Sequence, residues 1–136
     1  MTRWIVVGLL VVMAFVTVFR RSAPWVGEDL NAALSSSAKD KMPVVAVVGA
    51  EWCTFCHKFQ DQTLPDKEVK AALKDWRLTL VDGDSLEGKK IVERYQVGGL
   101  PTILFLDSSG TEIGRVVGFL PPSEFIKAIQ QARAQL

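Results

Sequence analysis

Five consecutive apolar residues, Val44-Val45-Ala46-Val47-Val48, constrain this chain more than any other feature. A strand with one wet face alternates apolar and polar side chains, whereas an unbroken β-branched run is buried on both faces. Such a strand lies inside a sheet covered from two sides, which implies a layered α/β unit. The segments that follow supply the layers. Gly49-Ala50 ends the run, and Cys53 to Leu64 reads as helix. Pro65-Asp66 interrupts it, and Lys67 to Lys74 continues as a second helical piece. Arg77 to Val81 is the next strand, and Ser85 to Tyr95 is helical, with Ile91, Val92 and Tyr95 on one side. Gly98-Gly99-Leu100-Pro101 is a turn into Thr102 to Leu106, a second interior strand. A loop at Ser108-Ser109-Gly110 then leads to Glu112 to Val117, and Pro121-Pro122-Ser123-Glu124 opens a last helix.

A right-handed crossover makes the first two strands parallel neighbours. The third then pairs on the other side of the first, and its hairpin partner forms an edge. The expected fold is α/β, a central four-stranded mixed sheet with helices on both faces.

Between the first strand and its helix stands Glu51-Trp52-Cys53-Thr54-Phe55-Cys56-His57, which admits three chemistries. Read as Cys-x-x-Cys-His it is a c-type haem attachment signature. Haem iron also needs axial ligands, and the chain holds one histidine and three methionines, of which Met1 and Met13 fall in an apolar amino-terminal run. A structural zinc site needs four ligands, and His57, adjacent to Cys56 on a helix, points away from the cysteines. Copper held by two thiolates remains open. As a dithiol the motif has a mechanical rationale: the first cysteine sits at a helix amino terminus, where free N–H groups stabilise a thiolate. The second lies three residues on, over the same face and within disulfide reach. One sulfur is then exposed and activated, the other shielded beneath it, as thiol–disulfide exchange requires. A purely stabilising disulfide across so short a loop would restrict few unfolded conformations.

Trp52-Cys53-Thr54-Phe55-Cys56, the preceding apolar strand and Gly99-Leu100-Pro101-Thr102 together resemble the thioredoxin superfamily. The chain is similar in particular to the carboxy-terminal periplasmic domain of DsbD thiol:disulfide interchange proteins and to membrane-anchored thioredoxins. That likeness runs from about Pro43 to Gln130 and includes Gly118-Phe119 before the last helix. It implies a thioredoxin-like fold with Cys53 attacking and Cys56 resolving. Trp52, Thr54, Phe55, Leu100 and a cis Pro101 would support the site, with no bound cofactor or metal. Two positions depart from the pattern. Val47 stands where thioredoxins commonly bury an aspartate, and Gln60 where the DsbD-type domain tends to carry an acid. Glu51 and Asp61 are candidate substitutes but read as solvated surface charges, and His57 beside Lys58 as a surface histidine. Trp52 reads first as packing under the active-site loop and second as shaping access. Phe55 is a candidate docking contact and Phe59 a core residue. Asp82 and Asp84 around Gly83 read as a turn capping the Ser85 helix.

Ahead of this domain, Trp4 to Phe19 carries no charge and is followed by Arg20-Arg21. Sixteen helical residues rise about 24 Å, close to the roughly 30 Å hydrocarbon core, and arginine snorkelling closes the gap. Two arginines with no small-x-small site, and Trp25 read as an interfacial anchor, favour an uncleaved anchor over a cleaved signal peptide. The division expected is an anchor over residues 1–21, a tether over 22–41 with one short helix at Glu28 to Leu34 and Ser35-Ser36-Ser37 as its most flexible part, and the thioredoxin-like domain over 42–136. With 16 basic and 15 acidic residues scattered along the chain, a nucleic-acid partner is not expected. Arginines on both flanks leave orientation undecided, and the redox chemistry places the domain outside the bacterial inner membrane, in the periplasm. The function expected is a tethered thiol:disulfide oxidoreductase. It would pass electrons from a membrane donor protein to disulfides of exported proteins, such as apocytochromes or other periplasmic thiol proteins. A thioredoxin-fold copper chaperone using the same two cysteines is the alternative.

Overall fold

A computed structural model describes residues 23–136. The apolar run expected as an anchor lies outside the described residues, and no described helix is long and apolar enough to cross a membrane. The elements run α1 (Leu30–Asp40), β1 (Val44–Gly49), α2 (Thr54–Lys58), α3 (Lys67–Ala72), β2 (Arg77–Asp82), α4 (Leu86–Arg94), β3 (Thr102–Leu106), β4 (Glu112–Val117) and α5 (Pro122–Arg133). The helix of α2 continues through a widened π turn at Phe59–Thr63, where Leu64 N–H donates to the Phe59 carbonyl.

The sheet order is β2-β1-β3-β4, with β1 parallel to β2 and antiparallel to β3, and β4 antiparallel on the edge. This is the four-stranded mixed sheet read from the sequence. Every residue of β1 and β3 is buried. Val45, Val47, Ile103 and Phe105 face the helices that follow the cysteines and α5, in a cluster with Phe59, Trp76 and Phe125. Val44, Ala46, Val48, Leu104 and Leu106 face the other way, toward Leu30, Ile91 and Tyr95. Gly88 lets α4 approach β2 closely, since a Cβ there would fall 1.7 Å from the Asp82 carbonyl oxygen.

One expectation is corrected. Within the stretch read as a tether with a short helix over Glu28 to Leu34, Leu30–Asp40 instead forms an 11-residue helix docked on the sheet. Asp29 caps it by accepting from Asn31 N–H at 2.9 Å. Leu30 and Ser37 are buried, and Ala33 and Leu34 pack against the second core cluster. The serines are therefore not a flexible joint: Ser37 Oγ accepts from Arg77 Nε, and the Arg77 guanidinium pairs with Asp40. Burial of the Leu30/Ala33/Leu34 stripe outweighs the weak helix propensity of three serines.

The β3–β4 connection is organised by Asp107, which accepts from Ser109 N–H, Ser109 Oγ–H and Thr111 N–H at 2.7–3.0 Å. These donors, Ser109 hydroxyl first, hold its carboxyl below the ordinary carboxylate value, against a smaller opposing effect of burial. A folded-state pKa below the unfolded one gives stability that is present above the unfolded value and lost as pH falls through the folded one. Asp107→Asn is expected to cost about 1 kcal/mol or less at pH 7, given solvent screening. Urea unfolding should show this cost shrinking as pH is lowered below about 4.

Candidate functional site

Cys53 and Cys56 form a disulfide with a Cα–Cα distance of 5.2 Å. β1 ends at Gly49, and Cys53 N–H donates to the Ala50 carbonyl at 3.1 Å, closing the turn that delivers Cys53 to the helix start. Cys53 is the N-cap of α2, in extended conformation, and its Sγ accepts from Cys56 N–H at 3.2 Å. A serine or aspartate oxygen usually occupies that position. Sulfur there meets one of the free amides of the first turn, and a thiolate would accept the same bond more strongly. Cys56, one turn along, points into the core.

The asymmetry between the sulfurs is real but narrower than expected. Cys56 is wholly buried, and Cys53 keeps 6% of its surface. The expectation of an openly exposed first cysteine is corrected: both cysteines join the core cluster that half-buried Leu100 packs against. The Leu100–Pro101 peptide is cis, Pro101 is buried, and Gly118 N–H donates to the Pro101 carbonyl at 2.8 Å. The structure thus brings Leu100 of the cis-proline turn to the cluster that holds both cysteines, while Thr54 stands exposed at the start of the helix.

Trp52 does not pack under the active-site loop. It is 70% exposed, and its indole N–H donates to Asp84 Oδ2 at 2.7 Å. Asp84 stands in the β2–α4 turn, where Asp82 Oδ1 accepts its N–H and Ser85 caps α4 by accepting from Gly88 N–H. The turn and cap are as the sequence suggests; the use of Asp84 to hold Trp52 has no local signal. Phe55 is 57% exposed and Phe59 fully buried, as expected.

Two residues read as bland surface groups prove to be fastened. Glu51 accepts from Trp25 N–H at 2.7 Å, and its carbonyl accepts from His57 Nε2 at 2.7 Å. His57, only 18% exposed at its side chain, lies edge-on to Trp25 with ring centroids 6.5 Å apart. The His57–Glu51 bond bridges the residue two before Cys53 to the residue after Cys56, so it clamps the motif from outside. Trp25, expected as an interfacial anchor beside the apolar run, is instead buried in the domain, with its indole N–H on the Val81 carbonyl.

No described carboxylate is buried. Val47 is fully buried in the core, and Gln60 places an unpartnered amide oxygen inside the protein. Asp61 is exposed. Among the described residues no three His, Cys, Asp or Glu side chains converge as a metal cage would require.

Comparisons with known proteins agree with this geometry. A thioredoxin-like domain family matches residues 30–133, a span that includes α1. The chain is 40% identical over 106 residues to the thiol:disulfide interchange protein DsbD of Yersinia enterocolitica, covering 75% of this chain and 18% of that protein. It is 37% identical over 109 residues to the Pectobacterium atrosepticum DsbD, covering 76% and 18%. The chain therefore spans less than a fifth of the length of these curated relatives. Among solved structures, a thioredoxin from Thermus thermophilus aligns with a TM-score of 0.70 at 28% identity, covering 85% of this chain and 90% of that one. The reduced DsbD c-terminal domain of Neisseria meningitidis aligns with a TM-score of 0.64 at 27% identity, covering 76% and 94%. Built on a cysteine-capped helix beside a cis-proline turn, the chain belongs to the thioredoxin superfamily and is DsbD-like within it.

Proposed function

We propose that this chain is a membrane-tethered thiol:disulfide oxidoreductase of the periplasm, anchored in the bacterial inner membrane by residues 1–21. It takes electrons from a membrane donor protein and reduces disulfides of exported proteins, apocytochromes or other thiol proteins among them, with no bound cofactor. The observation that carries this reading is the placement of Cys53 Sγ at the helix start, bonded to the Cys56 amide, above a fully covered Cys56. The DsbD-like membership and the reducing role in which such domains are cast favour the direction.

In the reduced protein the Cys53 thiolate, stabilised by that amide, attacks one sulfur of a substrate disulfide. The substrate S–S bond breaks, a mixed disulfide with Cys53 forms, and the departing sulfur takes up a proton. Cys56 then loses its proton and attacks Cys53 Sγ. The Cys53–Cys56 bond closes, and the second substrate sulfur leaves as a thiol. Two electrons pass to the substrate. With Val47 and Gln60 in place of carboxylates, no buried acid collects the Cys56 proton, which leaves through water or the substrate. Exposed Trp52, Thr54 and Phe55 and the Leu100–Pro101 turn form the docking surface around the sulfur.

A Cys56→Ser variant should accumulate mixed disulfides through Cys53, visible as adducts on non-reducing gels and absent when Cys53 is also replaced. Failure to form an adduct with any thiol partner would remove exchange chemistry from this site. The reduction potential of the dithiol sets the direction: near thioredoxin's, roughly −270 mV, the protein is a reductant, whereas near DsbA's, about −120 mV, it is an oxidant.

A further inference from the structure

Residues 23–28 form a strap that docks at one end of the sheet. Trp25 is 4% exposed, its indole N–H donates to the Val81 carbonyl at 3.1 Å, and Glu28 N–H donates to the Leu80 carbonyl at 2.7 Å. Its ring lies so close over Gly49 that a Cβ there would fall 2.4 Å from it. With the Trp25–Glu51 bond, these contacts fix residue 25 at the carboxy-terminal ends of β1 and β2. Cys53 leaves the sheet from that same end, two residues beyond Glu51. The chain therefore enters the domain beside the redox centre.

Upstream of Trp25, only residues 20–24 separate it from the uncharged run that ends at Phe19. The six Cα steps from Phe19 to Trp25 span at most about 20 Å when fully extended. Without the strap the domain would be held only at Leu30, and five further residues would add roughly 17 Å of reach. On this edge Trp52, Phe55 and Leu86 are 70%, 57% and 81% exposed, with Trp52 fixed by Asp84.

We infer that the strap holds the Cys53–Cys56 edge toward the bilayer. The dithiol protein that docks on Trp52 and Phe55 is then membrane-embedded and presents its reacting sulfurs close to the membrane surface, because Trp25, at the same end of the sheet, stands at most about 20 Å from Phe19. This rests on the tethered-oxidoreductase reading and adds the height and direction from which electrons arrive. The partner's thiolate attacks Cys53 Sγ, since Cys56 is fully covered. The Cys53–Cys56 bond breaks, and the Cys56 sulfur leaves and takes a proton. The partner's second thiolate then attacks its own sulfur in the mixed disulfide, and Cys53 departs and is protonated. The partner loses two electrons and two protons, and this chain gains both.

The full chain, reconstituted in phosphatidylethanolamine–phosphatidylglycerol vesicles, tests this with two single-span peptides carrying a reduced Cys-x-x-Cys. One peptide places it directly at the bilayer surface and the other on a 16-proline spacer, about 50 Å out. The surface probe should reduce the intact chain at least about tenfold faster than the spaced probe. A 20-residue Gly/Ser insertion between Arg21 and Ser22, which leaves the strap in place, should bring the two rates within about twofold. Equal rates for the intact chain overturn the inference, as does a rate ratio that the insertion leaves unchanged. A chain that fails to float with the vesicles, or vesicles that slow both probes because the edge lies on lipid, also overturn it. Dithiothreitol separates the two levels: a chain it reduces while both probes react equally loses only this inference, and a chain it cannot reduce loses the oxidoreductase reading as well.

Discussion

Cys53→Ser is expected to lower disulfide-reductase turnover by at least about a thousandfold, equivalent to roughly 4 kcal/mol of transition-state stabilisation. The first bond formed is to Cys53 Sγ, and a serine hydroxyl at the same N-cap would accept the Cys56 amide well while attacking sulfur poorly. The substitution should therefore leave the fold intact, which makes the loss readable as chemistry. Insulin reduction coupled to a regenerating dithiol measures it, and circular dichroism checks the fold. Alkylation of the reduced protein supplies the complementary result. Iodoacetamide should label Cys53 and spare Cys56, because the accessible surface of the pair is confined to the former, 6% against 0%. A reduced protein in which Cys53 resists alkylation at neutral pH would contradict the attacking role, however well the fold matches its relatives.

Trp25→Ala should destabilise the protein by about 3–5 kcal/mol, the range for removing a buried aromatic residue. In a domain of this size that lowers Tm by roughly 10–20 °C. The loss combines apolar burial with two long-range hydrogen bonds, to Glu51 and Val81, of which the side-chain one disappears outright. A double-mutant cycle makes the assignment sharp. Gly49→Ala alone should cost several kcal/mol by evicting the indole, whose atoms are the three nearest neighbours of a Cβ there. In the Trp25→Ala background the same change should cost less than about 1 kcal/mol, since the obstructing ring is gone. Additive losses would show that Gly49 is needed for something other than the strap.

The sheet was legible because interior strands advertise themselves. VVAVV has no polar residue and TILFL only Thr102 at its start, and their order among the helices leaves one arrangement without a left-handed crossover. The cysteine-capped helix was legible for the same local reason, a strand ending just before Cys-x-x-Cys. What escaped was held by contacts distant in sequence. Trp25 finds Glu51 across 26 positions and Val81 across 56, and nothing in Ala23-Pro24-Trp25 announces either partner. His57 looked solvated because Lys58 beside it is exposed, and Trp25 of the strap lies edge-on to its ring; Glu51 stays exposed and is held only by its hydrogen bonds. The first helix was obscured by composition. Leu30, Ala33, Leu34 and Ser37 follow a helical stripe, but a serine in its last position and two more beside it suggested a joint instead of a packed face. Trp52 failed in the opposite direction. A large aromatic residue just ahead of the cysteine helix suggests packing beneath the loop, and the Asp84 bond that keeps it outside comes from another loop.

The central place of β1 also dictates the sequence of events by which a growing polypeptide can become ordered. It is the earliest strand to leave the ribosome, yet Val47 must wait for Leu80 on one flank and Ile103 on the other. Until Thr102–Leu106 has emerged, the apolar hexapeptide Val44–Gly49 has an open side. A nascent chain halted before Thr102 should therefore depend on chaperones, whereas one from which α5 has also emerged, so that Phe125 and Ile129 cover Val47 and Phe105, should resist protease on its own.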